Sequence, residues 1–160
     1  MPLSIRTATL GDADAIARLT AHLGYDVSGS EVVSRLARLL ARTDQEMFVA
    51  ESNGQTVGWL HVAVAEYIET GAFAVINGLV VDRAARAGGV GTQLLGRAEQ
   101  WAIERGLSIV RLWSTTSRER AHEFYERLGY VKIKTQYAFI KSIAADGPQD
   151  FRRLVPRVDS

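Results

Sequence analysis

A chain of 160 residues, 47% hydrophobic and with a formal net charge of +1, has the size of one domain and enough apolar side chains to fold around its own core. It has no cysteine and three histidines, His22, His61 and His122, none spaced i, i+4, which argues against a disulfide framework, a thiol nucleophile and a zinc site. The balanced charge leaves no footprint for nucleic acid. No apolar run is long enough to span a membrane, and the opening MPLSIRTATLGDADA has no signal-peptide core, so a soluble, cytoplasmic globule is expected.

Residues 4–9 alternate weakly and read as a first strand. Gly11 and Asp12 open a helix with apolar positions Ile16, Leu19 and Leu23 at close to a 3.6 period. After a loop over 24–29, Ser30 is the expected N-cap of a second helix carrying Val33, Leu36 and Leu40. Arg35, Arg38 and Arg42 line its other side and read as a solvated face. Residues 47–51 and 56–65 read as a hairpin about Asn53-Gly54, the strongest turn signal in the chain. After a loop over 67–71, the nearly continuous apolar run 73–81 reads as a strand covered on both faces.

DRAARAGGVG follows, then a long helix with Val90, Leu94, Leu95, Ala98, Trp101 and Ala102 on one face, stopped by Gly106. Residues 109–114 form the next strand. Another helix carries Ala121, Phe124, Tyr125 and Leu128 and ends at Gly129. Residues 130–134 and 137–143 are expected to close the sheet as a final strand pair, and a polar tail follows. The order β α α β β β α β α β β describes a one-domain mixed α/β sheet with helices on both sides.

The strand 73–81, the glycine-rich turn and the helix start together have the makings of an anion site. A helix N-terminus offers unpaired N–H groups and the positive end of the macrodipole. Gly88, Gly89 and Gly91 let the backbone approach a phosphate, and Arg83 and Arg86 add positive charge. A Walker loop is excluded because no Gly-Lys-Ser/Thr is present. A dinucleotide fingerprint is excluded because Leu94 stands at the third glycine position. The alternative is a tight turn with no ligand. Asn77-Gly78 interrupts its strand, as a bulge or as a packing glycine. By spacing alone Tyr125 belongs to the apolar face of its helix. His61 reads as a structural histidine, His122 as solvated, and Trp113 beside Arg111 as strand packing.

The run Arg86-Ala87-Gly88-Gly89-Val90-Gly91 resembles the Arg/Gln-x-x-Gly-x-Gly/Ala loop of the GCN5-related N-acetyltransferase (GNAT) family. The stretch from Ala121 through Phe124 and Tyr125 to Gly129-Tyr130 resembles that family's second signature. The two cover roughly residues 73–130, and the element order extends the likeness over most of the chain. The resemblance implies a single-domain acetyl-CoA N-acyltransferase fold over residues 1–145, with 146–160 as a tail. Its sheet would be mixed and mostly antiparallel, with splayed central strands flanked by helices. It implies acetyl-CoA as co-substrate, with no metal. The pyrophosphate would sit on the backbone of Arg86, Ala87, Gly88, Gly89, Val90, Gly91 and Thr92, and the pantetheine arm would pair with Leu79, Val80 and Val81 as an added strand. Tyr125 would protonate the departing thiolate, whose acid has a pKa near ~8.5 against about 10 for a phenol.

Two departures from the family stand out. Arg118 occupies a position where many members carry an asparagine, so that contact is not carried over. The strand 73–81 contains no acid, which leaves the base open: a water held by the backbone and Asn77, Glu66 or Glu69, or no protein base. The expected partner is a small-molecule or peptide amine acceptor, with no nucleic acid and no membrane, and a homodimer is left open. In this family the acceptor cleft is usually lined by segments matching 24–29 and 66–71 here. Their charges are Asp26, Glu66 and Glu69, which favours a cationic amine or a basic N-terminus. The alternative to an acetyltransferase is a coenzyme A-binding regulatory module of weak activity.

Overall fold

The structure, a computed structural model, describes residues 2–147 and 150–156; the expected tail's Pro148, Gln149 and residues 157–160 lie outside the described residues. Five strands form one sheet in the order β1-β2-β3-β4-β5: β1 (Leu3–Thr7), β2 (Gln45–Ser52), β3 (Gln55–Tyr67), β4 (Gly71–Val81) and β5 (Val110–Leu112). The first four are antiparallel, and β5 joins β4 in parallel. The helices are α1 (Ala13–Thr20), α2 (Gly29–Leu40), α3 (Val90–Glu104) and α4 (Glu119–Arg127).

Strand alternation divides the core between the two faces. From β2, Phe48 and Ala50 join the cluster with Leu94, Leu95, Ala98 and Trp101 of α3. Met47 and Val49 join the cluster with Ile16 and Leu19 of α1 and Leu36 of α2. The β2–β3 turn is the expected one, with Asn53 at φ 54° and Gly54 at φ 73°, two positive values in succession as a type I′ turn needs. The α2 cap differs from expectation. Ser28 accepts from the Glu31 N–H at 3.1 Å, and Glu31 accepts from the Ser28 N–H. The spacing Ser28-x-x-Glu31 makes a reciprocal capping box that Ser30, with Val33 three residues on, cannot make.

The larger difference lies after α4. Residues 130–134 and 137–143 form no strand, and the chain from 131 to 141 is exposed throughout. Its apolar alternation suits a strand, but Lys134, Thr135 and Gln136 contain none of the turn formers that would fold it back into a hairpin. Within the described tail, Arg152–Leu154 makes one 3-10 turn, and Arg153 reaches Glu31 at 3.4 Å.

β1 is tied to the α1 start by a charge pair. Arg6 donates to both carboxylate oxygens of Asp12, at 2.8 and 2.9 Å, while the Thr9 N–H donates to Asp12 at 2.8 Å. Asp12 is buried, and the Arg6 bonds hold its carboxyl below the ordinary value of 3.8, against the opposing effect of burial. A lowered acid pKa means a contribution that is full above 3.8 and is lost as pH falls toward the lowered native value. Asp12→Asn should therefore cost about 1–2 kcal/mol at pH 7, since Arg6 keeps part of its solvation. In thermal melts the gap between wild type and variant should close below about pH 4.

Candidate active site

The parallel β4–β5 ladder is three residues long, Ala74–Ile76 against Val110–Leu112. Beyond it β5 stops while β4 runs on to Val81, so one edge of β4 is open. A register shift decides which groups line that edge. His61 pairs with Gly78, and Val62 pairs with Ile76, so Asn77 is an extra residue, the expected bulge. Before it, the Ala74 N–H donates to the Ile109 carbonyl at 2.9 Å, so even-numbered residues of β4 direct their backbone groups to β5. After it, the Asp82 N–H donates to the Val57 carbonyl at 2.8 Å. The period of two then turns Val80 toward β3 and leaves the backbone groups of Leu79 and Val81 facing the open edge. Of the three residues singled out in the sequence, two face the edge and one does not. Gly78 also serves packing, because a Cβ there would lie 2.6 Å from the Trp59 ring.

The glycine loop lies just past this edge. Asp82 accepts from the Ala84 N–H at 3.1 Å and caps the 3-10 turn Arg83–Gly88. That bond, helped by an ion pair to Arg18 at 3.3 Å, holds the Asp82 carboxyl below its ordinary value. Gly89 takes φ 73° as the N-cap of α3, a conformation that suits glycine. The first helical amide to find an acceptor is Gln93, on the Gly89 carbonyl at 3.1 Å. The N–H groups of Val90, Gly91 and Thr92 have no acceptor within the helix, and no side chain caps them. A Cβ at Gly88 or Gly89 would meet nothing within 4 Å, so ligand access is open there. Gly91 has another task, because its Cβ would lie 3.0 Å from the Phe124 ring and its absence lets α4 press on the first turn of α3. Arg83, Arg86, Ala87 and Thr92 are exposed, and neither arginine has an ion-pair partner among the described residues.

Tyr125 follows Phe124 and packs against the same cluster as Val90 and Ile76. Its ring lies 5.3 Å from Phe124 and 5.9 Å from Tyr130. Burial raises the Tyr125 phenol above its ordinary value, and the Arg118 charge partly offsets this. The Tyr125 hydroxyl has no hydrogen-bond partner among the described residues. Tyr130 contrasts with it, since its hydroxyl donates to Glu99 at 2.8 Å, and burial followed by that bond raises its pKa strongly.

The remaining candidates take structural places. His61, half-buried, bonds Gln45 at 2.8 Å, and burial lowers its pKa. The His122 Nε2 donates to the Thr115 carbonyl at 2.9 Å. Arg111 lies over the rings of Phe73, Trp113 and Tyr67 at 4.9, 5.4 and 5.7 Å, a cation held by three aromatic faces that the sequence reading of Trp113 as strand packing did not anticipate. Arg35 and Arg42 pair with Glu31 and Asp44 on the surface. Glu66 and Glu69 are exposed at the β3–β4 turn. That turn is six residues of strand from Asn77, about 20 Å at ~3.3 Å per residue.

The sequence matches the acetyltransferase (GNAT) family over residues 15–130. It is 37% identical over 107 residues to an uncharacterized N-acetyltransferase of Methanocaldococcus jannaschii, which is 66% of this chain and 47% of that protein. The chain thus spans about half the length of that relative. Among solved structures, a transcriptional regulator from Bacillus halodurans superposes with a TM-score of 0.72 at 29% identity, over 88% of this chain and 99% of the other. AAC(6')-Iy in complex with a bisubstrate analog, CoA-S-monomethyl-acetylneamine, superposes with a TM-score of 0.80 at 15% identity, over 89% of this chain and 99% of the other. At that identity the second likeness is one of fold.

The two neighbouring tyrosines should separate in stability measurements. Tyr130→Phe removes a part-buried hydroxyl and leaves Glu99 without its donor, for a loss of about 1 kcal/mol. Tyr125→Phe removes a hydroxyl with no protein partner and should stay within about 0.5 kcal/mol of wild type. Equal losses in denaturant titrations would give the Tyr125 hydroxyl a structural bond.

Proposed function

The chain belongs to the acetyltransferase (GNAT) family, and from that premise we propose that it transfers the acetyl group of acetyl-CoA to a primary amine by direct attack. The observation that carries this reading is the meeting of the open β4 edge with the uncapped start of α3. Leu79 and Val81 offer two N–H and two C=O groups along the edge; the Val81 N–H and the two C=O groups suit the amides of a pantetheine arm bound as an added strand, and the Leu79 N–H is left for the thioester. Val80 contributes its side chain to the core rather than backbone bonds to the ligand. The N–H groups of Val90, Gly91 and Thr92, with Arg86 through Gly89 beside them, suit a pyrophosphate. Gly88 and Gly89 leave room for it.

Acetyl-CoA supplies the acetyl group as a thioester and departs as the thiol. The Leu79 N–H is the first amide past the bulge to face the open edge, and it is the donor for the carbonyl oxygen as negative charge gathers there. The amine nitrogen bonds to the carbonyl carbon, the carbon–sulfur bond breaks, and its electron pair goes to sulfur. Tyr125 gives that sulfur a proton. Its raised pKa keeps the phenol protonated at neutral pH, as a general acid requires. The amine's proton passes to water beside Asn77, which is exposed at the bulge, because Glu66 and Glu69 lie too far along β4 to take it. Among the described residues no group of three or more His, Asp or Glu side chains is placed to hold a metal ion. A regulatory module without turnover has no feature of the site in its favour.

Glu66 and Glu69, on the exposed β3–β4 turn, support a cationic acceptor. Their distance from the bulge favours one with several amines along its length, such as a polyamine, an aminoglycoside-like compound or a basic peptide N-terminus, over a small acidic amino acid. The protein has no cysteine, so a thiol reagent reports only released coenzyme A. In an amine panel read this way, cationic acceptors should lead, with kcat/KM falling as salt rises. In single-turnover conditions Tyr125→Phe should lower the rate about 10²- to 10⁴-fold with cofactor binding unchanged. An unchanged single-turnover rate would remove Tyr125 as the acid, and a best acceptor that is anionic would overturn the cationic reading.

A further inference from the structure

Asp82 stands between the β4 edge and the glycine loop, and every one of its polar groups is engaged. Its N–H donates to the Val57 carbonyl at 2.8 Å, and its carbonyl accepts from the Ala85 N–H at 2.9 Å. Its carboxylate is divided between two partners. Oδ1 accepts from the Ala84 N–H at 3.1 Å, and Oδ2 pairs with Arg18 at 3.3 Å. The other terminal nitrogen of Arg18 donates to the Thr56 carbonyl at 3.2 Å. A guanidinium has the planar fork that such a two-point contact needs. Arg18 is held in turn by α1, whose Ile16 and Leu19 are buried in the core.

The loop beyond Asp82 has little else to fix it. Its 3-10 turn, Arg83–Gly88, covers six residues, and none of them is buried. Such turns rarely run past about four residues. Of the six, only Ala85 is half-buried, against the α3 cluster. Gly88 and Gly89 follow with no Cβ to restrict them. Charge does not account for a carboxylate at this place, because an acid beside the proposed pyrophosphate site repels the ligand. Stability accounts for the ion pair no better: the Arg18 side chain is 54% exposed, and exposed pairs contribute little.

We propose that Asp82 and Arg18 are positioning residues for the cofactor. Arg18 fastens the Asp82 carboxylate to α1 and to the start of β3. Asp82 in turn fixes the 3-10 turn, so that the amides from Arg86 to Thr92 are set for the pyrophosphate before the ligand arrives. The inference rests on the acetyl-transfer reading of this loop and deepens it. A loop already held in its binding form loses less conformational freedom on binding. Releasing the clamp leaves the loop in that form only part of the time, and the apparent dissociation constant rises by the reciprocal of that fraction. Tyr125 stands on α4 and the bulge lies within β4, so the clamp acts on affinity and not on the transfer step.

Calorimetric titration with coenzyme A tests the clamp, because positioning and charge call for opposite signs. Asp82→Ala removes both a negative charge and the acceptor that caps the turn. It should weaken coenzyme A binding about 5- to 10-fold, where a merely repulsive carboxylate would give tighter binding. Asp82→Asn keeps an oxygen for the Ala84 N–H and should stay within about threefold of wild type. Arg18→Gln should weaken binding about two- to threefold and move the melting temperature of the free protein by no more than about 3 °C. Combined with Asp82→Ala, the same Arg18 change should add little, because its effect runs through Asp82. Hydrogen exchange reads the turn with no ligand present: the Ala84 amide should exchange more slowly in wild type than in Asp82→Ala. Where the wild type binds coenzyme A, tighter or unchanged binding by Asp82→Ala would overturn this inference and leave the acetyl-transfer reading standing. So would an Arg18→Gln effect that persists in full alongside Asp82→Ala, or an Ala84 amide that exchanges equally fast in both proteins. A wild type that binds no coenzyme A at millimolar concentration would overturn both.

Discussion

A single extra residue sets the direction of everything beyond it in β4. With Asn77 out of register, Ala74 and Ile76 before the bulge and Leu79 and Val81 after it all face the α3 cluster, although their numbering changes parity. Val80 turns to the α1–α2 cluster instead. A one-residue shift exchanges the two faces of a strand and also its hydrogen-bonding edges. Without the bulge, Leu79 and Val81 would direct their amides into β3, and the edge left open by the short β5 would present Gly78 and Val80 instead. The bulge is therefore the constraint on which both the core and the proposed cofactor edge depend.

Small residues hold the neighbouring elements close enough for that edge to matter. A Cβ at Gly58 would lie 2.9 Å from the Val80 carbonyl and 3.1 Å from Leu94 and Val90, so β3 lets the first turn of α3 settle over the end of β4. Gly91 does the same for Phe124 and with it places Tyr125. Gly78 admits the Trp59 ring under the bulge. Each contact is a packing fact, and their joint effect brings an uncapped helix start, an open strand edge and an unbonded phenol to one end of the sheet. That convergence is what the proposed acetyl transfer uses.

Much of this was legible in the sequence because the signals are local. Asn53-Gly54 needs two positive φ values, Gly89 one, and the α3 stripe is a clean helical period. The bulge was legible as well, since Asn77-Gly78 breaks an apolar run. Its consequence was not, because the parity of Leu79, Val80 and Val81 depends on partners in β3 and β5 that no local pattern names. Ser30 was mistaken for the α2 cap because both serines are good caps and only Glu31 decides between them. Residues 130–143 misled for a different reason: their alternation is that of a strand, but no turn former stands at 134–136 to fold the run back on itself. Gly91 shows a mixed case, since a glycine expected to admit a ligand is required by the Phe124 ring.

Amide-resolved hydrogen exchange with and without acetyl-CoA tests the central geometry most directly. In the free protein the Val80 amide should already be slow, held by β3, while Leu79 and Val81 exchange as edge amides. Saturating acetyl-CoA should slow Leu79 and Val81 and leave Val80 where it was. Protection that falls on Val80 instead, or that leaves all three amides unchanged while the cofactor is bound, would contradict the account.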